Sequence, residues 1–376
     1  MTSLRERFVS LDVFRGLTIC LMIVVNTPGS GASAFAPLHH SHWFGCTPTD
    51  LVFPSFLFAV GNAMSFSIKK YEAIGNSAVL RKVIRRTLLI FLIGYLMYWF
   101  PFVHQLADGS WGVKPISHTR IMGVLQRIAL CYFFGSLIVH FFSKRTAIIV
   151  SVILLLGYWA LLYLFGNPGA ELTMTGNAVL KLDTFLFGPA HLYHGEGIPF
   201  DPEGVLSTLP AIVNVIAGFI AGEFIQRKGK NFECVAKLMM WGALLIFFGL
   251  FWDQFFPIGK KIWTSSFVVY TVGIDLIVIS LLIYAIEMRS WKRGTYFFKV
   301  FGRNPLSIYL LSELLVVVLF MIHAGGDSNF FNWINTSFYQ VIIPGPWGSL
   351  LFALSFMLVC WLVGLWLDKR KIYIKI

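Results

Sequence analysis

Ten apolar runs, each close to the length a helix needs to cross a bilayer, set what this chain can fold into. They cover 9–27, 51–69, 87–104, 122–142, 146–165, 205–226, 233–254, 264–286, 301–323 and 347–367. A spanning helix takes about 20 mainly apolar residues. In lipid every backbone N–H and C=O must be bonded within its own segment. The runs therefore predict an all-α, polytopic integral membrane protein of about ten transmembrane helices. Composition agrees, because only 13% of the 376 residues are charged, against about a quarter in soluble domains.

The cations between the runs predict orientation. One set of loops carries Arg5 and Arg7, then Lys69, Lys70, Arg81, Lys82, Arg85 and Arg86, then Lys144 and Arg145. The same set continues with Arg227, Lys228 and Lys230, then Arg289, Lys292 and Arg293, and last Lys369, Arg370, Lys371 and Lys375. The opposite loops hold Lys114, Arg120, Lys181, Lys260 and Lys261, so 20 cations face 5. By the positive-inside rule both termini are expected to be cytoplasmic. The net charge of +12 would suggest nucleic acid as the partner of a soluble chain. Here it sits in short clusters between apolar runs, so the expected partner is membrane lipid and nucleic acid is excluded.

The five cysteines are scattered without CxxC spacing and read as packing residues. No cleavable signal peptide is visible, since the first run carries Asp12 and Arg15. There is no internal repeat, and residues 1–376 are expected to form a single transmembrane domain. The outer loops 28–50, 105–121, 166–204 and 324–346 are rich in Gly, Pro, His and aromatic residues. Loop 166–204 is too long for a plain connector and is expected to cover or form a site.

Ionisable groups inside spans are costly and mark sites or pairs. Asp12 and Arg15 share a helix face: either they pair with each other, or Arg15 faces a cavity and meets an anion from the cytoplasm. Arg127 lies about one turn in from the outer end of its run and either snorkels or binds an anion. Arg303 and Asn304 precede Pro305, a residue suited to the first turn of a helix, and helix N-termini attract anions. Asp275 and Glu313 lie deep in their runs, where each can serve as partner to a buried Arg.

The densest polar stretch runs from Asn26 through His39, His40, His42, Trp43, Gly45 and Thr47 to Asp50. A His can act as general base near neutral pH, a carboxylate can hold its tautomer, and an Asn amide can donate to a developing oxyanion. The HHxH pattern lacks the i, i+4 spacing of common zinc sites and has no adjacent acid, so no metal is expected. Farther along, Asp201 and Glu203 in YHGEGIPFDPEG either receive an acceptor, or Asp201 caps the coming helix with Pro202 in its first turn.

Several blocks then agree in order. SLDVFRGLTICLMIVVN (10–26), HHSHWFGCTPTDLVFPSFLFAVG (39–61), GVLQRIALCYF (123–133), FDPEGVLSTLPAI (200–212), GRNPLSIYLLSE (302–313) and RKIYIKI (370–376) resemble the heparan-α-glucosaminide N-acetyltransferase family over nearly the whole chain. The resemblance implies transmembrane acetylation: acetyl-CoA is the cytoplasmic co-substrate, and the acetyl group passes to the amine of a glucosamine-type sugar or glycan on the far side. The family's essential histidine precedes its Trp by three residues, which here is His40, followed by Trp43, Gly45, Thr47 and Asp50; Asn26 matches the family's Asn.

His40 is thus expected to be base or acyl carrier, Asp50 its orienter and Asn26 the oxyanion donor, while His39 and His42 are dispensable. Arg15, Arg127, Arg303 and Asn304 are expected to contact CoA, and Trp43, Asp201 and Glu203 to contact the acceptor. The chain starts at the equivalent of the family's second span, so the expected form is a bacterial inner-membrane homologue without the lumenal domain. A homodimer follows by analogy only. The rivals are an amino-sugar permease using the same polar groups and an envelope scaffold; the lack of inverted repeats and matched broken spans weighs against the permease.

Overall fold

The computed structural model describes residues 8–29, 34–72, 75–106, 110–324 and 328–374. Arg5, Arg7 and Lys375 lie outside the described residues. Among the described residues fourteen α-helices are seen: α1 (Val9–Asn26), α2 (Pro48–Glu72), α3 (Asn76–Trp99), α4 (Val124–Phe141), α5 (Lys144–Phe165), α6 (Ala178–Phe187), α7 (Thr208–Lys228), α8 (Phe232–Asp253), α9 (Ser265–Leu282), α10 (Thr295–Arg303), α11 (Pro305–Met321), α12 (Phe330–Ile334), α13 (Gln340–Ile342) and α14 (Pro346–Lys369). The described strands are a short outer hairpin, β1 (Val103–Gln105) antiparallel to β2 (Trp111–Val113).

Among the described residues, eight helices are long and apolar enough to cross a membrane, and α10–α11 adds a ninth if its bent pair is one span. The expected run 87–104 belongs to α3, which starts earlier, at Asn76, and ends at Trp99. Arg81, Lys82, Arg85 and Arg86 fall within its first turns, so charge hides the helix start from an apolar reading. The expected run 301–323 is broken: α10 and α11 meet at Asn304 with a bend of 83°. Pro305 occupies the first turn of α11 as expected. Pro cannot donate to a preceding turn, so α10 cannot run straight on. Loop 166–204 carries the short helix α6, N-capped by Asn177, whose side chain accepts from Leu180 N.

The bundle has two centres. Helix α1 packs against α2, α9, α10, α11 and α14, while α7 packs against α2, α4, α5 and α9. One end gathers the cationic loops: Lys230 pairs with Glu287, Glu287 accepts from Ser10, and His140 meets Asn76. The opposite end gathers the outer loops, where Gly45 N donates to Ile258 O and Lys261 pairs with Glu196. Large apolar side chains such as Leu164 on α5 and Phe247 on α8 are exposed, which suits a lipid-facing surface.

Helices α2 and α7 approach through glycine. A Cβ at Gly61 would overlap the Val215 carbonyl, and one at Gly218 would overlap the Phe58 carbonyl. Such close crossing is how helices gain packing where lipid supplies no hydrophobic drive. We expect Gly218→Ala to destabilise the protein by about 1–3 kcal/mol, read as a lowered thermal midpoint in detergent. Gly157→Ala on α5, where a Cβ meets nothing within 4 Å, should leave the midpoint unchanged; equal effects would refute the packing argument.

Candidate functional site

A cavity of about 720 Å³ opens between α1, α2, α3, α4 and α11. Its volume lies in the range of small-molecule sites, about 300–1,000 Å³. On α1 the wall is built by Asp12, Arg15, Ile19 and Met22, spaced to share one helix face. Leu306 and Tyr309 form the α11 wall, and Tyr373 and Ile374 of the C-terminal tail close the side at the cationic end. Arg15, Lys82, Arg86 and Arg303 make that end positive, against Asp12 as the acid of the lining. Arg15 pairs with Asp12 at 2.8 Å and also lines the cavity. Arg86 lies over the Tyr132 ring at 4.6 Å, and its buried Nε has no hydrogen-bond partner among the described residues. That donor set suits an anion.

The tail is tied down beside this opening. Asn304 donates to Ile372 O and accepts from Ile374 N, so it pins the chain end. Asp368 accepts from Arg303, Tyr296 and Tyr373. Of the residues expected to contact CoA, Arg15 and Arg303 lie on the cavity wall, while Asn304 shapes it through the tail. Arg127 is placed elsewhere. It is fully buried, donates to Gly204 O at 3.0 Å and to Ser207 Oγ, and lies 4.8 Å from the Trp263 ring. It neither snorkels nor reaches the cavity, because its partners on the 204–207 turn and Trp263 enclose it.

At the inner end, Asn26 sits one turn beyond Met22, and its Nδ2 donates to Glu313 Oε1 at 3.3 Å. Glu313 lies one turn beyond Tyr309, whose hydroxyl also bonds it. Tyr98 accepts from Val124 N, a residue of the cavity wall, and from Arg120 Nη1. Arg120 is the hub of the next layer. It holds Asp201 through two nitrogens, at 2.9 and 2.7 Å, and Glu203 at 2.6 Å. It also lies over the rings of Tyr98 and Tyr193. Burial opposes the Arg120 charge, but Tyr98, Asp201 and Glu203 hold the guanidinium well above its ordinary range. Burial likewise works to raise Glu203, yet Lys260, Arg120 and Arg127 keep it below the usual carboxylate range. Asp201 does not cap α7, which starts at Thr208; it accepts from Glu203 N at 3.0 Å and serves Arg120.

His40 stands on the outer loop before α2. Its Nδ1 lies 2.6 Å from Asp50 Oδ1. Asp50 is fully buried and also accepts from Ser41 N, Thr47 N and Thr47 Oγ1. Thr47-Pro-Thr-Asp50 is a capping arrangement, in which the side chain in the first turn returns to satisfy the N–H before the helix. The carboxylate is therefore fixed by the fold before it meets the imidazole. With Nδ1–H donating to it, the tautomer leaves Nε2 as the basic nitrogen. The His40 side chain is 42% exposed, so Nε2 is reachable. The His39 ring meets Ala34 O, and His42 is exposed. Burial, then Asp50, pushes the Cys46 thiol up to about 12, which removes it as a nucleophile near neutral pH.

Trp43 donates to Leu172 O at 2.7 Å, packs on Phe200, and walls a shallow outer groove of about 450 Å³ with Tyr163 and Leu172. Among the described residues no three His, Cys, Asp or Glu side chains converge as metal ligands. Asp275 bonds Ser55 rather than an Arg. Sequence reading assigned no role to Tyr98 or Tyr309, counted Lys82 and Arg86 among the loop cations, and left Glu313 as a candidate partner for a buried Arg; a Glu four residues after a Tyr in an apolar run was the available signal.

The model of the family described as heparan-alpha-glucosaminide N-acetyltransferase, catalytic, matches residues 7–250. That stretch contains Asn26, His40, Asp50, Arg120, Asp201 and Glu203. Heparan-alpha-glucosaminide N-acetyltransferase of Mus musculus is 26% identical over 366 residues, covering 82% of this chain and 54% of the mouse protein. The protein of that name from Homo sapiens is 25% identical over 370 residues, covering 84% of this chain and 54% of its own length. The chain thus spans about half the length of the curated relatives it matches.

One outcome tests the Arg120 layer and a second tests Asp183 on α6. Arg120→Gln leaves two buried carboxylates without their cation and is expected to cost about 3–5 kcal/mol of stability; an unchanged thermal midpoint would contradict the pairing. Asp183 supplies a pH dependence. Burial, against a bond from Val205 N, raises its carboxyl from 3.8 to about 7. A folded-state value raised this way keeps the proton on folding, so stability falls as pH rises from about 4 to 7 and stays lower above. Asp183→Asn should flatten that fall; an identical pH profile in the variant would show that Asp183 does not carry it.

Proposed function

This chain belongs to the heparan-alpha-glucosaminide N-acetyltransferase family, and on that premise we propose that it transfers the acetyl group of acetyl-CoA across a membrane to an amino sugar. The observation that supports the reading most is the cavity itself, positive at the end of the cationic loops and reaching Met22 of α1 and Tyr309 of α11, one turn short of the bonded pair Asn26 and Glu313. Taken with the cation bias of the loops, the positive opening is cytoplasmic and the histidine loop faces the other side. Phosphates of CoA would meet Arg15, Lys82, Arg86 and Arg303, where Arg offers planar donor pairs for phosphate oxygens. The thioester end would lie toward Asn26, whose amide is placed to donate to the oxyanion formed when the amine adds.

The acceptor approaches from the outer loops. The groove beside Trp43 offers an aromatic face of the kind a sugar ring packs against. His40, oriented by Asp50, takes a proton from the attacking nitrogen. Asp201 and Glu203 support this region through Arg120 rather than by binding the acceptor. The membrane, on this reading, is a bacterial inner membrane, and a homodimer remains the proposed assembly.

The test is acceptor-dependent CoA release by purified protein with acetyl-CoA and glucosamine. Wild type should release CoA, and His40→Ala should lose about 100-fold or more while melting normally; Asp50→Asn should lose as much and also melt lower, because it disturbs the α2 cap. Arg86→Ala should raise the acetyl-CoA KM and leave the glucosamine KM near wild type. Retained turnover in His40→Ala would remove the imidazole from the chemistry, and no release with any amino sugar would sink the proposal.

A further inference from the structure

The carboxylates around the outer half of the site are almost all committed. Asp201 and Glu203 are held by Arg120, and Asp50 is saturated by three protein donors and His40. Glu313 is different. It stands in the apolar helix α11, where a carboxylate is costly. Its hydrogen-bond partners are the Asn26 amide and the Tyr309 hydroxyl, both neutral, and among the described residues it makes no ion pair. Both partners position it: Tyr309 lines the donor cavity, and Asn26 continues the α1 face that carries Ile19 and Met22. Asn26 is exposed, so the pair is reachable.

We infer that Glu313 receives the ammonium group of the acceptor and takes its first proton, which fixes a protonated primary amine as the class of group acetylated here. The inference rests on the acetyl-transfer reading and completes its proton balance. An ammonium nitrogen sheds two protons when it becomes an amide. The first passes to Glu313 and yields the neutral amine. The amine then forms the C–N bond, the C–S bond breaks, and the second proton leaves to His40. Glu313 returns its proton to the CoA thiolate, which restores the carboxylate and leaves one net proton on His40 for release. A hydroxyl acceptor carries no cation and gains nothing from this carboxylate, so the geometry favours amines over alcohols.

Glu313→Gln and Glu313→Asp in the full chain provide the test, with turnover read against glucosamine concentration and pH. Glu313→Gln should raise the glucosamine KM, lower turnover about 100-fold or more, and change the acidic limb of the pH profile. Glu313→Asp should recover part of the loss. Protection of the protein by CoA against thermal unfolding should be the same in all three. Wild-type KM and pH profile in Glu313→Gln would overturn the inference, as would loss of CoA protection together with turnover, which would mark a structural role. A second measurement keeps the two readings apart, namely equilibrium binding of labelled glucosamine against labelled glucose. If wild type fails to turn over yet prefers glucosamine, and Glu313→Gln abolishes the preference, the ammonium site stands while the acetyl-transfer reading falls. No preference for glucosamine in wild type overturns the inference.

Discussion

A charge at the centre of a lipid bilayer costs about 2.5–3.5 kcal/mol even by the most lenient scale, and that cost sorts the ionisable groups of this chain. Most cations stay in the loops. Of those that enter the bundle, Arg15 lies beside Asp12 and Arg303 meets Asp368, while Arg127 is held by the uncharged Gly204 O and Ser207 Oγ; in the outer loop Arg120 gathers Asp201 and Glu203. Asp275, with no cation bonded to it, takes a hydroxyl from Ser55. The outcome is a bundle that is apolar on its lipid face and polar along one interior track. That track runs from Arg15 past Tyr309 to Asn26 and Glu313.

What was legible in the sequence follows from how far apart the interacting residues lie. Spans could be read because a bilayer imposes a length and each run meets it locally. His40 and Asp50 could be read because ten positions separate them and the Thr47–Asp50 cap is itself local. The Arg120 layer could not, since 81 positions separate Arg120 from Asp201, and the signal in either segment alone is a charged loop. Asn26 and Glu313 are 287 positions apart, so only folding brings them together. Arg127 misled for a related reason: an Arg one turn into an apolar run has the same spacing whether it faces an anion or a carbonyl. Its partner, the 204–207 turn, carries no charge to announce it.

The break at Asn304 shows how two local rules make a non-local shape. Pro305 was legible as a helix start, but the 83° bend also needs Asn304 to spend its side chain on the tail at Ile372 and Ile374. That tail supplies Tyr373 to the cavity wall. Tyr373 and Ile374 thus help complete a cavity whose wall also includes Asp12 and Arg15 of α1. The sequence block RKIYIKI carries the resemblance at this point, and the geometry supplies a physical reason for it.

Length decides how the two substrates share the membrane. From Arg15 to Asn26 is eleven residues of α1, about 16.5 Å at the rise of a helix, and from Pro305 to Glu313 along α11 is about 12 Å. The hydrocarbon core is about 30 Å thick. On the proposed reading, a donor held at the cationic end reaches along α1 toward its far end at Asn26, and an acceptor entering beside Trp43 meets it there. Neither substrate would then have to cross. The acetyl group alone would change sides, where Asn26 and Glu313 lie bonded to each other. A rigid wall suffices for that, and the glycine-packed α2–α7 pair and the capped Asp50 supply rigidity on the acceptor half. On the proposed reading, vectorial acetylation needs a fixed meeting point more than it needs a moving gate.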